Sequence, residues 1–348
     1  MLAGHGLAEP AEIRGESAYL LETPTGYLAH VEEGLGTKNL VADAMAELTG
    51  RTFYHAIGID LVATMVNDLV TCGALPVSIA MHAAVGDAAW FADAARRHAF
   101  ADGFAEGCRQ AGAALLGGET AEHPGLMGPS EFDLVGFAVG VVERDDILGA
   151  ARVRPGDVLV GLPSPGLRCN GYSLARHVLL ERAALPLDGP AWPGASVTLG
   201  EELLRPSVIY APAVRVAMAA ADVHAVAHIT GGGFTGNLPR VLPADTIAVL
   251  DRGTWEVPPI FSEIRRLGAV SNDEMARVFN LGLGMVLAVG RGSEDDAIAA
   301  LRSSGVEAAV VGRVEAAEAT GTVTAGPAGV VYSGPAFWSD SGDAAARA

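Results

Sequence analysis

The chain of 348 residues contains one lysine, Lys38, and it closes the stretch Glu32-Glu33-Gly34-Leu35-Gly36-Thr37-Lys38. Every other basic side chain of the Lys/Arg class is an arginine. A compact ammonium on a flexible stem reaches a phosphate through a gap that a planar guanidinium cannot enter. Gly34 and Gly36 would let backbone N–H groups approach phosphate oxygens closely. The stretch reads either as a phosphate-binding loop or as a Gly-rich turn with a chance lysine, because a short Gly-x-Gly match is a weak signal.

Four further groups carry possible chemistry. Asn67-Asp68 interrupts an apolar helical stripe of Leu61, Val62, Met65, Val66 and Leu69. A carboxylate among such neighbours must be paired or ligate a metal. Gly117-Gly118-Glu119-Thr120-Ala121-Glu122-His123 sets four polar groups, Glu119, Thr120, Glu122 and His123, among small residues just past a strand, the pattern of a metal or nucleotide site on a loop. In 163–173, Arg168 could pair a phosphate bidentately. Asn170, Gly171 and Ser173 lie there at a helix start. A plain strand–helix connector is the equal alternative. Thr230-Gly231-Gly232-Gly233 spends backbone entropy on three consecutive glycines, which favours close approach to a ligand.

These groups need elements to position them. Residues 27–31 read as a strand, 39–48 as a helix, and Asp60 as the cap of the helix that carries Asp68. A strand follows at 76–83, and then a long solvated helix at 88–111. A buried strand at 113–116 runs into the Gly117-Gly118 turn, and an apolar strand spans 132–143. The polar turn at 151–157 divides the chain into domains 1–150 and 151–348. The second half offers strands near 158–162, 281–289 and 308–314. Its helices start at 174, 203, 274 and 293. Residues 1–20 and the Gly/Ala/Ser-rich end read as mobile.

Composition sets limits. A net charge of −18 argues against nucleic acid or an anionic membrane as main partner, so an anionic substrate must be held locally. Cys72, Cys108 and Cys169 show no CxxC spacing, which speaks against a disulfide framework or zinc site and suits a reducing cytoplasm. No leader pattern and no uncharged apolar run of spanning length is present, so a soluble protein is expected.

Taken together, the chain resembles the aminoimidazole ribonucleotide synthetase family, also called phosphoribosylformylglycinamidine cyclo-ligase. The resemblance rests on Gly34–Lys38, on Ile57-Gly58-Ile59-Asp60 with Asn67-Asp68, and on Gly117–Glu122. It continues through Gly136–Glu143, Asn170–Leu174, His228–Gly233 and Phe279-Asn280 before Gly282–Gly284, in the family's order from about residue 30 to 315. It implies a mixed α/β (α+β) architecture of two α/β domains, with first-domain strands pairing across a homodimer. It implies ATP on the first domain and a phosphorylated ribonucleotide reaching the second. In the implied reaction ATP phosphorylates the formyl oxygen of formylglycinamidine ribonucleotide. An amidine nitrogen then attacks that carbon and phosphate leaves, closing the aminoimidazole ring of purine biosynthesis.

By the same resemblance Lys38 and Asp68 are the catalytic candidates. Gly34, Gly36, Thr37, Lys38, Asn67, Glu119 and Thr120 would hold ATP, and Asp68, Glu119 and Glu33 would hold Mg²⁺. Arg168, Asn170, Gly171, Ser173 and Thr230–Gly233 would serve the substrate. The chain departs from the family pattern at several points. Glu33 stands where an Asp is usual, fewer residues precede it, and His123 stands where a methionine is usual. Ser164-Pro165-Gly166-Leu167-Arg168-Cys169-Asn170 replaces Ser-Ser-Gly-x-His-Ser-Asn. Three readings stand: the cyclo-ligase with an altered site, a paralogue that phosphorylates another small substrate, and a non-catalytic nucleotide-binding protein.

Overall fold

The structure, a computed structural model, describes residues 17–320 and 329–338, together with 7, 8 and 10. The mobile start expected at 1–20 and the frayed end lie mostly outside the described residues. Strands β1 (Tyr19–Thr23) and β2 (Gly26–Gly34) form a hairpin. Helices α1 (Asn39–Thr49) and α2 (Tyr54–Leu69) follow, then β3 (Leu75–Val85), α3 (Ala89–Ala92), α4 (Ala94–Ala111), β4 (Ala114–Glu122) and β5 (Phe132–Val142). The five strands make one sheet in the order β1-β2-β5-β3-β4. β3 and β4 are parallel neighbours joined through α4, and the other pairs are antiparallel. The expected single helix at 88–111 is broken at Asp93, whose carboxylate accepts from the Arg96 N–H and caps α4.

The second sheet holds β6 (Val158–Pro163), β7 (Val223–His228), β8 (Thr246–Asp251), β9 (Leu283–Val289), β10 (Ala309–Ala316) and β11 (Gly329–Ser333). Their order is β11-β8-β10-β6-β9-β7. Helices α5 (Tyr172–Arg176), α6 (Leu199–Leu203), α7 (Ala211–Ala220), α8 (Gly233–Asn237), α9 (Pro259–Gly268), α10 (Asn272–Val278) and α11 (Glu294–Ser303) complete this half. The pairings make β6, β7, β8 and β11 run one way and β9 and β10 the other. The loops after β6 and β7 therefore leave the same end of the sheet, where α/β sheets bind ligands. One continuous apolar core joins both halves.

Three local expectations are corrected. Asp60 is not a cap: α2 starts at Tyr54, so Asp60 lies in its interior. The polar set after Gly117-Gly118 is not on a turn. β4 runs straight through the glycines to Glu122, and Leu115 and Leu116 on it are exposed rather than buried. Glycine is needed there because a β-carbon on Gly118 would stand 2.1 Å from the Met81 carbonyl oxygen. No helix opens at 203: α6 ends there, and an extended segment leads to α7 at Ala211.

α2 is apolar on nearly every face, as an interior helix must be. With the turn that follows it to Cys72, it is long and apolar enough to cross a membrane by length and composition, but it is mostly buried inside the fold. It crosses α4 backbone to backbone. A β-carbon on Gly103 would meet the His55 carbonyl oxygen at 2.0 Å. Gly103→Ala should force the two helices apart and cost about 1–3 kcal/mol. Urea unfolding reads this directly, and an unchanged midpoint would contradict the close crossing.

Candidate active site at the seam between the two sheets

Asp60 and Lys38 meet beneath the glycine loop. Lys38 Nζ stands 2.5 Å from Asp60 Oδ2, and neither side chain has any solvent exposure. The ammonium also donates to the Arg205 carbonyl at 2.7 Å, while the Ser207 N–H donates to Asp60 Oδ1 at 2.7 Å. The phosphate-ligand expectation for Lys38 is therefore not met in this conformation, because its charge is spent neutralising a buried carboxylate. A lysine suits this place because three rotatable donors on one small head serve a carboxylate and a carbonyl together.

Two turns further along α2, Asn67 and Asp68 face the same extended segment and β7. Asn67 Nδ2 donates to the Val208 carbonyl at 2.9 Å, and its Oδ1 accepts from the Tyr210 N–H at 2.8 Å. Asn67 thus docks the second half onto α2, using its Oδ1 and one of its two Nδ2 N–H groups. Asp68 Oδ1 lies 2.7 Å from His228 Nδ1. His228 is buried at the end of β7, and burial holds its imidazole below the usual histidine range. Arg168 is buried too. Its guanidinium bonds His228 Nε2 at 2.7 Å and the carbonyls of Gly284 and Ile229. The expected bidentate phosphate contact from Arg168 is not available in this arrangement.

Glu33, at the end of β2, is half-buried. Burial, and then the charge of Asp68, push its carboxyl up to about 7, with Arg240 opposing. A carboxyl whose proton affinity is raised by burial and by a neighbouring carboxylate's charge also suits a divalent cation. Among the described residues, no three His, Cys, Asp or Glu side chains converge on a cation site. Glu33 and Asp68 therefore do not make an all-protein cage. They fit Mg²⁺ in its usual form, held by one or two carboxylates and completed by substrate phosphates.

Glu119 and Thr120 are exposed on β4. Glu33 pairs with Gly136, Gly136 with Met81, and Met81 with Gly118, so Glu119 lies three strand spacings from Glu33. That is about 14 Å across the sheet. The structure does not bring Glu119 to Glu33 and Asp68 within one chain.

The glycine loops do converge. A β-carbon on Gly36 would lie 3.7 Å from the Cys169 carbonyl oxygen, and one on Gly231 would lie 4.0 Å from Asn170 Nδ2. Gly34, Gly36 and Thr37, with Asn170, Gly171, Ser173 and Thr230–Gly232, keep at least part of their surface open, and Gly233 is buried beneath them. Between them lies a crevice of about 10 Å³ lined by Thr64, Asn67, Arg168, Asn170, Ser207 and His228, room for one water. A groove of about 970 Å³ opens beside Ser164 and Pro165, with Arg205, Arg252 and Trp255 in its walls, large enough for a ribonucleotide. Residue types did not single out Asp60, His228 or Arg240 as site residues. For His228 the available signal was a histidine ending a wholly apolar run.

Two outcomes follow. Lys38→Met leaves the Asp60 charge buried and unpaired, so it should lower unfolding free energy by about 3–5 kcal/mol. Lys38→Met with Asp60→Leu should recover much of that in urea titrations. Glu33 binds a proton in the folded state up to about pH 7 but in the unfolded chain only to about 4.5. The folded state therefore binds more protons in that window, and stability should fall as pH rises through it. In metal-free buffer, Glu33→Gln should flatten this slope; an equal slope in both proteins would contradict the assignment.

Comparison with known proteins agrees with this geometry. Residues 15–142 match the family described as AIR synthase related protein, N-terminal domain, and residues 154–324 match its C-terminal domain. A phosphoribosylformylglycinamidine cyclo-ligase of Symbiobacterium thermophilum is 48 % identical over 300 residues, 86 % of this chain and 82 % of that protein. The protein of the same name from Bacillus subtilis is 43 % identical over 286 residues, 82 % of this chain and 80 % of that protein. Among solved structures, thiamine-monophosphate kinase from Stenotrophomonas maltophilia shares the fold at TM-score 0.61 and 20 % identity, covering 95 % of this chain and 92 % of that one. Two sheets, glycine loops meeting at their seam and a match to both the N- and C-terminal family models lead to one conclusion: this chain belongs to the AIR synthase related family.

Proposed function

We propose that this chain is an ATP-dependent phosphoribosylformylglycinamidine cyclo-ligase. It converts formylglycinamidine ribonucleotide to aminoimidazole ribonucleotide in purine biosynthesis, in the cytoplasm. The observation that carries the reading is 48 % identity over 86 % of the chain to a relative of that name. ATP binds over the first-domain loop, where Gly34, Gly36 and Thr37 offer N–H groups to the phosphates. Glu33 and Asp68 hold Mg²⁺, which supplies positive charge to the triphosphate. Lys38 supports the loop from below through Asp60 and the Arg205 carbonyl. Asn170, Gly171 and Ser173, at the start of α5, and Thr230–Gly233 hold the ribonucleotide so that its formyl oxygen faces the terminal phosphate. The narrow seam excludes water that would otherwise compete for the activated carbon.

The working unit in this reading is a homodimer. β4 is an edge strand, open on both faces, with Leu116 71 % exposed and Leu115 beside it. An uncovered apolar edge of this kind calls for a partner. Pairing across a two-fold axis covers it and gives Glu119 and Thr120 a route to a nucleotide site. Sedimentation should find a dimer, and Leu116→Glu should shift it towards monomer with loss of activity. A monomeric parent protein would remove this role for β4.

The test of the reaction is ADP release with Mg·ATP, with and without formylglycinamidine ribonucleotide. Substrate-dependent ADP matched by aminoimidazole ribonucleotide is the expected result. The departure at 164–169 favours one second reading, a paralogue with another phosphate acceptor. ATP binding with no stimulation by formylglycinamidine ribonucleotide would select it.

A further inference from the structure

Arg168 is an unusual residue to bury. Its backbone is left-handed, with φ 63°, a conformation that side chains other than glycine's rarely adopt. It is 4 % exposed, and its Nε has no hydrogen-bond partner among the described residues. The strain and the burial are held in place by what the other guanidinium nitrogens reach. Nη2 donates to the Ile229 carbonyl, and Nη1 points at the Gly284 carbonyl and at His228 Nε2.

An arginine has donors and no acceptor. His228 Nε2, 2.7 Å from Nη1, must therefore accept. The ring proton then sits on Nδ1, which donates to Asp68 Oδ1 at 2.7 Å. The chain Arg168→His228→Asp68 crosses the seam from the β6–α5 loop, through the end of β7, to α2. It joins a buried cation and a buried anion through one neutral ring. Asp68 Oδ1 is committed to it, and no hydrogen bond to Oδ2 is found among the described residues.

We infer that Arg168 is a positioning residue: it locks His228 in the Nδ1-protonated tautomer, which fixes Asp68 by Oδ1 and leaves Oδ2 for a divalent cation. The inference rests on the reading of Asp68 as a Mg²⁺ holder. Outer partners that orient a ligating carboxylate matter to metal affinity by about 10–100-fold. A merely structural arginine would support the loop without setting that affinity.

Nitrogen-15 NMR of histidine-labelled, metal-free protein reads the tautomer, with His228 assigned by its loss in His228→Asn. Nδ1 protonated and Nε2 bare is expected. A proton on Nε2 overturns the inference, because Arg168 would then face a donor. Mn²⁺, as the probe for Mg²⁺, is titrated in the presence of ADP. Arg168→Met should weaken Mn²⁺ binding about tenfold or more, with ADP affinity in the absence of metal unchanged, and Arg168→Lys should recover part of the loss. Unchanged Mn²⁺ affinity in Arg168→Met overturns the inference.

Should Arg168→Met fail to fold, His228→Asn provides the second test. It places an amide N–H where Nδ1 stands and cuts the link to Arg168. On that background Arg168→Lys should have no further effect on Mn²⁺, and additive losses overturn the inference. Parent protein with the stated tautomer that binds no Mn²⁺ would instead overturn the Mg²⁺ reading of Asp68 and leave the tautomer result standing.

Discussion

Asp60 and Asp68 lie on a helix whose surroundings are almost wholly apolar, and a carboxylate in such a place has to be neutralised. Most of the architecture at the seam answers that constraint. Lys38 comes up from the start of α1 to Asp60. The segment between α6 and α7 gives Asp60 an N–H from Ser207 and gives Lys38 the Arg205 carbonyl. β7 brings His228 to Asp68, and Arg168 stands behind it. The second domain is thus docked on the first through the polar needs of one helix.

Such a seam is specific rather than strong. Burying the Lys38–Asp60 pair and the charges of Arg168 and Asp68 gives up hydration that their attraction barely restores, so an apolar seam of the same shape would hold as well. What the pairs add is register. Asn67 accepts from one backbone group and donates to another two residues away, a match that a shifted segment would break. The glycine loops of the two domains meet in that register, with Gly36 against Cys169 and Gly231 against Asn170. Both are ordinary van der Waals distances, and at Gly36 it is the left-handed backbone, φ 77°, that calls for glycine.

The same arrangement explains how a chain of net charge −18 can handle phosphates. The cationic side chains at the seam, Lys38 and Arg168, are matched internally by Asp60 and Asp68, so the open surface offers backbone N–H groups and paired acids. Glu33 lies close enough to Asp68 to feel its charge. A cation brought with the nucleotide relieves that repulsion. In the proposed reading, anion recognition draws on a divalent ion and on backbone N–H groups, which suits a strongly acidic surface.

The sequence by itself determined the type of most of the elements it marked, the two-domain order and the glycine loops after β2, β6 and β7. Periodicity, glycine loops after strands and the family motifs are local signals, and the strands and helices stand close to the expected bounds at Gly26–Gly34, Asn39–Thr49, Phe132–Val142 and Val158–Pro163. It also marked Asp68 as a charge that had to be paired or to ligate a metal. Only the tertiary structure decided the partners. Lys38 and Arg168 look like free cations along the chain. Their counter-charges lie 22 residues away at Asp60 and, through His228, 100 residues away at Asp68. The run through Gly117-Gly118 looked like a turn because glycine allows one, and the ladder with β3 made it a strand. Side-chain type states what a group needs when it is buried; which group meets that need depends on contacts distant in sequence, and those exist only in the folded chain.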